Sequence, residues 1–178
     1  MDELYLYRVN TEYVNYLWQF TSSEASQIKN NEKNGRPRTY VGLLHRINDY
    51  NYLIPLSSPE KDKYGKMFER VDFMKIEDNG KLKCVIDIGF MIPVPDDELI
   101  LIDIDREPPN MKHILSIERT HVRKRATEII ENAKETYKRV VKARRYKDRN
   151  DRLPKRCLDF PLLEMKMKDY IMQKQKGE

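Results

Sequence analysis

Two adjacent hydroxyls, Ser57 and Ser58, follow the run Tyr52-Leu53-Ile54-Pro55-Leu56, and Pro59, Glu60 and Lys61 come directly after them. Lys63 and Lys66 extend the cationic group. A strand ending here delivers both hydroxyls onto a turn with ammonium groups close behind. On spacing alone, Ser57-Ser58-Pro59 reads as a turn that caps the next segment. The remaining chemistry-bearing residues say what else it could do. The histidines, His45, His113 and His121, are scattered, and Cys84 and Cys157 stand far apart. No Walker loop, G-x-G-x-x-G, H-E-x-x-H or paired C-x-x-C occurs. His113 and His121 lie eight apart on a helical stretch, but two ligands without a third are weak grounds for a metal. Asp103 and Asp105 alternate with apolar residues and are expected to face solvent. Neither metal nor cofactor is expected. What remains is a set of hydroxyls, amines, guanidiniums and phenols. That set suits cleavage of RNA by attack of its own 2′-OH on the adjacent phosphate. The substrate brings the nucleophile, while the protein aligns it and stabilises charge on the phosphate oxygens. A hydroxyl is a poor base near neutral pH, so the group that moves the proton stays unassigned.

The charge pattern points to the same partner. The chain has 178 residues, a formal charge of +5 and a pI near 9.0. Between Lys112 and Arg149, thirteen Lys or Arg stand against five Asp or Glu, a net of +8, so the remainder carries −3. Positive charge is thus concentrated, the footprint of a nucleic-acid surface. Pairs at i,i+4, such as Glu135 with Arg139, account for single charges but not for the excess. Lys112, Arg119, Arg123, Lys124, Lys142, Arg144 and Arg145 are the candidate RNA contacts here, and Lys33, Arg36 and Lys63 are candidates nearer the hydroxyls. A non-catalytic RNA-binding module would keep this surface and discard the chemistry. A protein-interaction domain whose charge only aids solubility is the third reading. The start of the chain lacks the pattern of a signal peptide and no apolar run reaches membrane-spanning length. With two cysteines in no metal-like spacing, a reduced cytoplasmic setting is expected.

These residues need elements to position them, and the pattern predicts a single α+β domain over 1–178. Strands are expected over 4–9, 40–47, 52–56, 71–76, 81–86 and 99–104, with an apolar run over 88–94. Gly42, inside a strand, suggests a bulge or a close approach of another backbone or a ligand, and Pro55 a strand end or edge. Asn79-Gly80 is a strong hairpin signal. A helix should begin at Asn10-Thr11-Glu12, with Tyr13, Tyr16, Leu17 and Phe20 at helical spacing; by that spacing Tyr13 packs on the core. Residues 21–39 read as a long loop. Residues 111–146 are helical in pattern with basic polar faces, followed by an extended connection over 153–159 and a further helix over 162–174.

Several segments together resemble the ToxN/AbiQ endoribonuclease toxins of bacterial type III toxin–antitoxin systems. They are Thr11-Glu12-Tyr13-Val14-Asn15-Tyr16-Leu17, Tyr40-Val41-Gly42-Leu43, Tyr52 to Pro59, Gly89-Phe90-Met91-Ile92-Pro93-Val94 and Cys157-Leu158-Asp159-Phe160-Pro161-Leu162-Leu163-Glu164. The resemblance implies a compact antiparallel β-barrel-like core, related to the Kid/MazF ribonucleases and elaborated with helices. It implies metal-independent RNA cleavage leaving a 2′,3′-cyclic phosphate and a 5′-hydroxyl. It also implies inhibition by a small repeat-derived RNA antitoxin, folded as a pseudoknot in a closed protein–RNA assembly, and a role in abortive infection by phage. By position, Tyr13 resembles the family's active-site tyrosine, Ser58 its central serine and Ser57 the neighbouring hydroxyl. Arg38 resembles a position that can be Lys. The family can place Lys directly after Ser-Pro, where this chain has Glu60. Lys61 then becomes the candidate cation, with Lys63 as the alternative.

Overall fold

The computed structural model describes residues 4–21, 32–33, 36–37, 40–57, 62–148 and 150–177, the side chains of 32–41 and 62–63 excepted. β1 (Leu6–Val9) leads through Asn10 into α1 (Thr11–Trp18). Asn10 Oδ1 accepts the Glu12 N–H at 3.1 Å, satisfying one of the helix's orphan donors. Part of the expected loop is instead a short antiparallel ladder of β2 (Glu32–Lys33) and β3 (Arg36–Pro37). β4 (Tyr40–Ile47) and β5 (Tyr50–Ser57) form the long hairpin. Its turn is tighter than the composition suggested, because Tyr50 and Asn51 join the ladder and Asn48 adopts φ 54°. α2 (Asp62–Gly65) is a single turn. β6 (Met74–Asp78) and β7 (Lys81–Ile86) meet at Asn79-Gly80, both at positive φ (52° and 70°), as the right-handed strand twist favours.

β8 (Ile92–Pro93) and β9 (Leu99–Leu101) are short; a 3-10 turn at Ile88–Phe90 opens the apolar run over 88–94, and another at Ile104–Arg106 takes the last residue of the strand expected over 99–104. The basic region, helical as its pattern implies, is two helices, α3 (Pro109–Lys124) and α4 (Ala126–Tyr146). They break at Arg125, whose guanidinium is tied to Glu69, Glu128 and the Lys75 carbonyl at 2.8–3.1 Å. A further 3-10 turn at Leu153–Lys155 replaces the extended connection. α5 (Phe160–Lys176) starts at Asp159, whose side chain accepts the Leu162 N–H at 3.2 Å.

The sheet runs β6-β7-β5-β4-β1-β9, with β8 on the β7 side of β5 and every pairing antiparallel. It is the antiparallel core expected, left open: among the described residues β6 and β9 end its main path, and β8 pairs β5 alone. α3 lies on β6 and β7, and α5 on β8 and α1. One apolar core runs between them, with Tyr13, Tyr52 and Phe160 its largest fully buried side chains. The buried Asp72 ties two distant segments together, held by Arg70 and Arg156, each at 3.1 Å. Burial works against its carboxylate, but the two guanidiniums still leave its pKa below the ordinary value. Among the described residues no helix is long and apolar enough to cross a membrane.

Candidate active site

Ser57 closes β5 between two neighbouring strands. Leu56 and Ser57 pair with Ile86 and Val85 of β7, while Pro55 pairs with Gly42 of β4 on the other side. Pro55 is therefore inside the strand, not at its end or edge. Its carbonyl accepts the Asp87 N–H at 3.1 Å. In a strand the N–H and C=O of one residue point the same way, so the missing N–H also faces the gap between β7 and β8, where no ladder bond is forfeited. Opposite it, a Cβ on Gly42 would run into the Ile54 carbonyl. Gly42 is the close backbone approach the sequence suggested. This pair locks the register two residues before Ser57, which is half-buried. Ser58 and Lys61 lie outside the described residues, as does Arg38. Lys33, Arg36 and Lys63 fall on β2, β3 and α2, with side chains not described.

The α1 start shares the Ser57 end of the sheet. Gly42 pairs Tyr7 on one side and Pro55 on the other, so the Val9 end of β1 lies at the Ser57 end of β5. The Tyr13 hydroxyl does not stay there. Tyr13 is fully buried, donates to the Pro93 carbonyl at 2.6 Å, and meets Tyr170 edge-on with ring centroids 5.0 Å apart. Burial, and then the charge of Glu98, push the phenol far above its ordinary pKa. Pro93 pairs with Tyr52, and five further residues of strand separate that level from Ser57, about 16 Å. Tyr13 is thus not brought against Ser57. Its proton is committed to a carbonyl, which makes it a poor base.

Behind the hairpin, Tyr52 and Tyr137 both donate to Glu164 Oε1, at 2.7 and 2.8 Å. Burial, followed by Glu164, raises Tyr52 strongly and Tyr137 to about 12. Sequence reasoning missed this anchor; its only signal was Tyr52 and Glu164 falling in two of the quoted segments. The candidate RNA contacts separate by pairing. Lys112 is 2.8 Å from Asp105, and Arg144 is 3.5 Å from Asp159. Arg139 pairs with Asp151 at 2.8 Å, not with Glu135. Arg119, Arg123 and Lys124 lie along α3, while Lys142 and Arg145 line a groove beside the β4–β5 turn. His121 Nε2 is 3.5 Å from Asp78. Asp103 and Asp105 face solvent, as expected. Among the described residues no three His, Cys, Asp or Glu gather as a metal-binding group.

The central hairpin of an open antiparallel sheet thus ends at the Ser57 hydroxyl, with the basic helices α3 and α4 in the same fold. A family profile, toxin ToxN of the type III toxin–antitoxin system, matches residues 5–168, and the chain belongs to that family. The endoribonuclease AbiQ of Lactococcus lactis subsp. lactis is 38% identical over 171 residues, covering 92% of this chain and 87% of that protein. The endoribonuclease ToxN of Bacillus thuringiensis subsp. kurstaki is 27% identical over 181 residues, covering 99% and 89%. A solved AbiQ, described as a lactococcal anti-phage endoribonuclease, superposes with a TM-score of 0.74 at 27% identity, covering 96% of this chain and 99% of that one. A type III toxin described as selectively inhibited by a non-coding RNA pseudoknot gives 0.74 at 26% identity, over 95% and 98%.

Proposed function

We propose that this chain is an endoribonuclease toxin that cuts RNA at the turn carrying Ser57 and Ser58. The observation that carries the reading is the locked end of β5, where Gly42 and Pro55 fix the strand just before the hydroxyls. Membership of the toxin family and kinship to named endoribonucleases support it. In the reaction, the 2′-OH of the substrate attacks the adjacent phosphorus and the 5′ oxygen leaves, giving a 2′,3′-cyclic phosphate and a 5′-hydroxyl. Ser57 and Ser58 hydrogen-bond nonbridging oxygens, while Lys61 and Arg38 offset the charge that builds there. No metal takes part. Tyr13 acts as a positioning residue, tying α1 to β8, the strand paired with β5, through the Pro93 carbonyl. The toxin works in the cytoplasm on cellular or phage RNA, within a phage-defence system. A small repeat-derived pseudoknot RNA inhibits it in a closed protein–RNA assembly, consistent with the pseudoknot-inhibited neighbour.

The test incubates wild type and Ser58→Ala with adenine-rich RNA in excess EDTA and characterises the product ends. Cyclic-phosphate ends from wild type only, with RNA binding kept in the variant, support the reading. Tight binding without cleavage across varied RNAs replaces it with a binding module. Cleavage by Ser58→Ala keeps the enzyme class and removes the site.

A further inference from the structure

The groove beside the β4–β5 turn carries an inference of its own, resting on the ribonuclease reading. It has a volume of about 610 Å³, with the turn residues Arg46 to Asn48 on one wall and α4 on the other. Lys134, Lys138, Lys142 and Arg145 line it at helical spacing, and with Arg46 they make five cations with no carboxylate in the lining. All five are exposed, and none forms an ion pair or hydrogen bond among the described residues. Elsewhere on α4 the cations are used internally: Arg139 goes to Asp151 and Arg144 to Asp159. At the end of the groove Tyr146 is 69% exposed and makes no ring contact with the chain.

A row of unpaired cations has no internal stabilising role, since each is left wholly to solvent. Four residues of helix rise about 6 Å, a step comparable to the separation of successive phosphates on an RNA strand. A free phenol ring at the end of such a row offers a stacking face for an unpaired base. The groove also lies at the far end of the hairpin from the hydroxyls. Tyr50 and Ser57 bound β5, and seven residues of strand span about 23 Å. We propose that this groove is an RNA exosite, separate from the cleavage turn. It takes a single-stranded stretch of RNA, with phosphates on the cation row and a base on Tyr146. An RNA long enough to reach both ends of the hairpin is held twice. Tight binding by a long inhibitor RNA is thereby separable from the chemistry at the turn.

The experiment compares wild type with the triple variant Arg46→Gln, Lys134→Gln, Lys138→Gln. Binding and cleavage are measured with a long single-stranded RNA and with an oligonucleotide too short to span the hairpin. Loss of three phosphate contacts lowers the salt slope of long-RNA binding by about 2, which is about 100-fold in affinity near 0.1 M salt. KM for the long RNA rises in step with kcat unchanged, while the short oligonucleotide is bound and cut as by wild type. Tyr146→Ala costs about tenfold in long-RNA affinity and Tyr146→Phe restores it, since stacking needs the ring and not the hydroxyl. Unchanged long-RNA affinity in the triple variant overturns the exosite, and so does a parallel loss on the short oligonucleotide. If wild type cuts nothing, the ribonuclease reading falls, and the binding comparison alone still decides whether the groove holds RNA. Matched melting temperatures verify folding of each variant.

Discussion

Glu118 sits almost wholly buried on α3, where it shares a hydrogen bond with the Cys84 thiol of β7. Burial raises its carboxyl to about 7 from an ordinary 4.5, and the Cys84 hydrogen bond only partly opposes the rise. The folded chain therefore keeps a proton that the unfolded chain gives up between those values. Stability is complete below the unfolded value, falls as pH rises through the window, and has lost the contribution above about 7. The gap of roughly 2.5 pH units corresponds to about 3 kcal/mol. Glu118→Gln keeps the shape and a hydrogen-bonding group but cannot ionise. The two proteins should match at about pH 4, below the unfolded value, while at about pH 8 the variant should be the more stable by about 3 kcal/mol. In thermal melts that is a gain of roughly 6–12 °C for a chain of this size. Melting both proteins across the window is the assay. Parallel curves, or a variant less stable at the alkaline end, would refute the reasoning.

Two further substitutions probe the scaffold behind the hydroxyls. Gly42→Ala forces a methyl into the Ile54 carbonyl and should cost about 1–3 kcal/mol in urea unfolding, with the hairpin register disturbed; an unchanged midpoint would mean the strands can part without cost. Tyr13→Phe strands the buried Pro93 carbonyl and should cost about 1–3 kcal/mol, while kcat and the shape of its pH profile stay as in wild type. A collapsed kcat with a shifted profile would put the phenol in the proton transfer.

What could be read from the residues depended on how local each cause was. Asn79-Gly80 and Asn10-Thr11-Glu12 set their own turn and helix start, and both appear where the residues place them. Pro55, read as a strand end or edge, lies inside β5, because the gap that accommodates it is made by Asp87 and the break between β7 and β8, far along the chain. The helix break at Arg125 has the same origin, in a guanidinium held by Glu69. The excess of charge over 112–149 was visible, but not which cations stay unpaired, since Arg139 takes Asp151 and leaves Lys138 free. The quoted segments are largely scaffold. Leu158 donates to the Gly89 carbonyl at 2.9 Å, and Tyr52 reaches Glu164. That explains why they mark the fold more clearly than the chemistry. Tyr13 follows its spacing, which placed it in the core.

The Tyr52–Glu164 bond joins residues 112 apart, and the Asp72–Arg156 bond joins residues 84 apart. On the ribosome, the hairpin leaves long before α5 exists to anchor it. At roughly 5–20 residues per second, about 6–20 s of synthesis separate Tyr52 from its acceptor. A nascent chain therefore carries its hydroxyl turn on a sheet of β1, β4, β5, β7 and β8 that still lacks the Glu164 anchor. Only when α5 docks do the Tyr52 and Tyr137 hydroxyls gain their shared acceptor. A chain released early, without α5, would have the residues of the turn but no platform to aim them. Translation itself thus delays the moment at which the hairpin is anchored, because α5 follows it by more than a hundred residues.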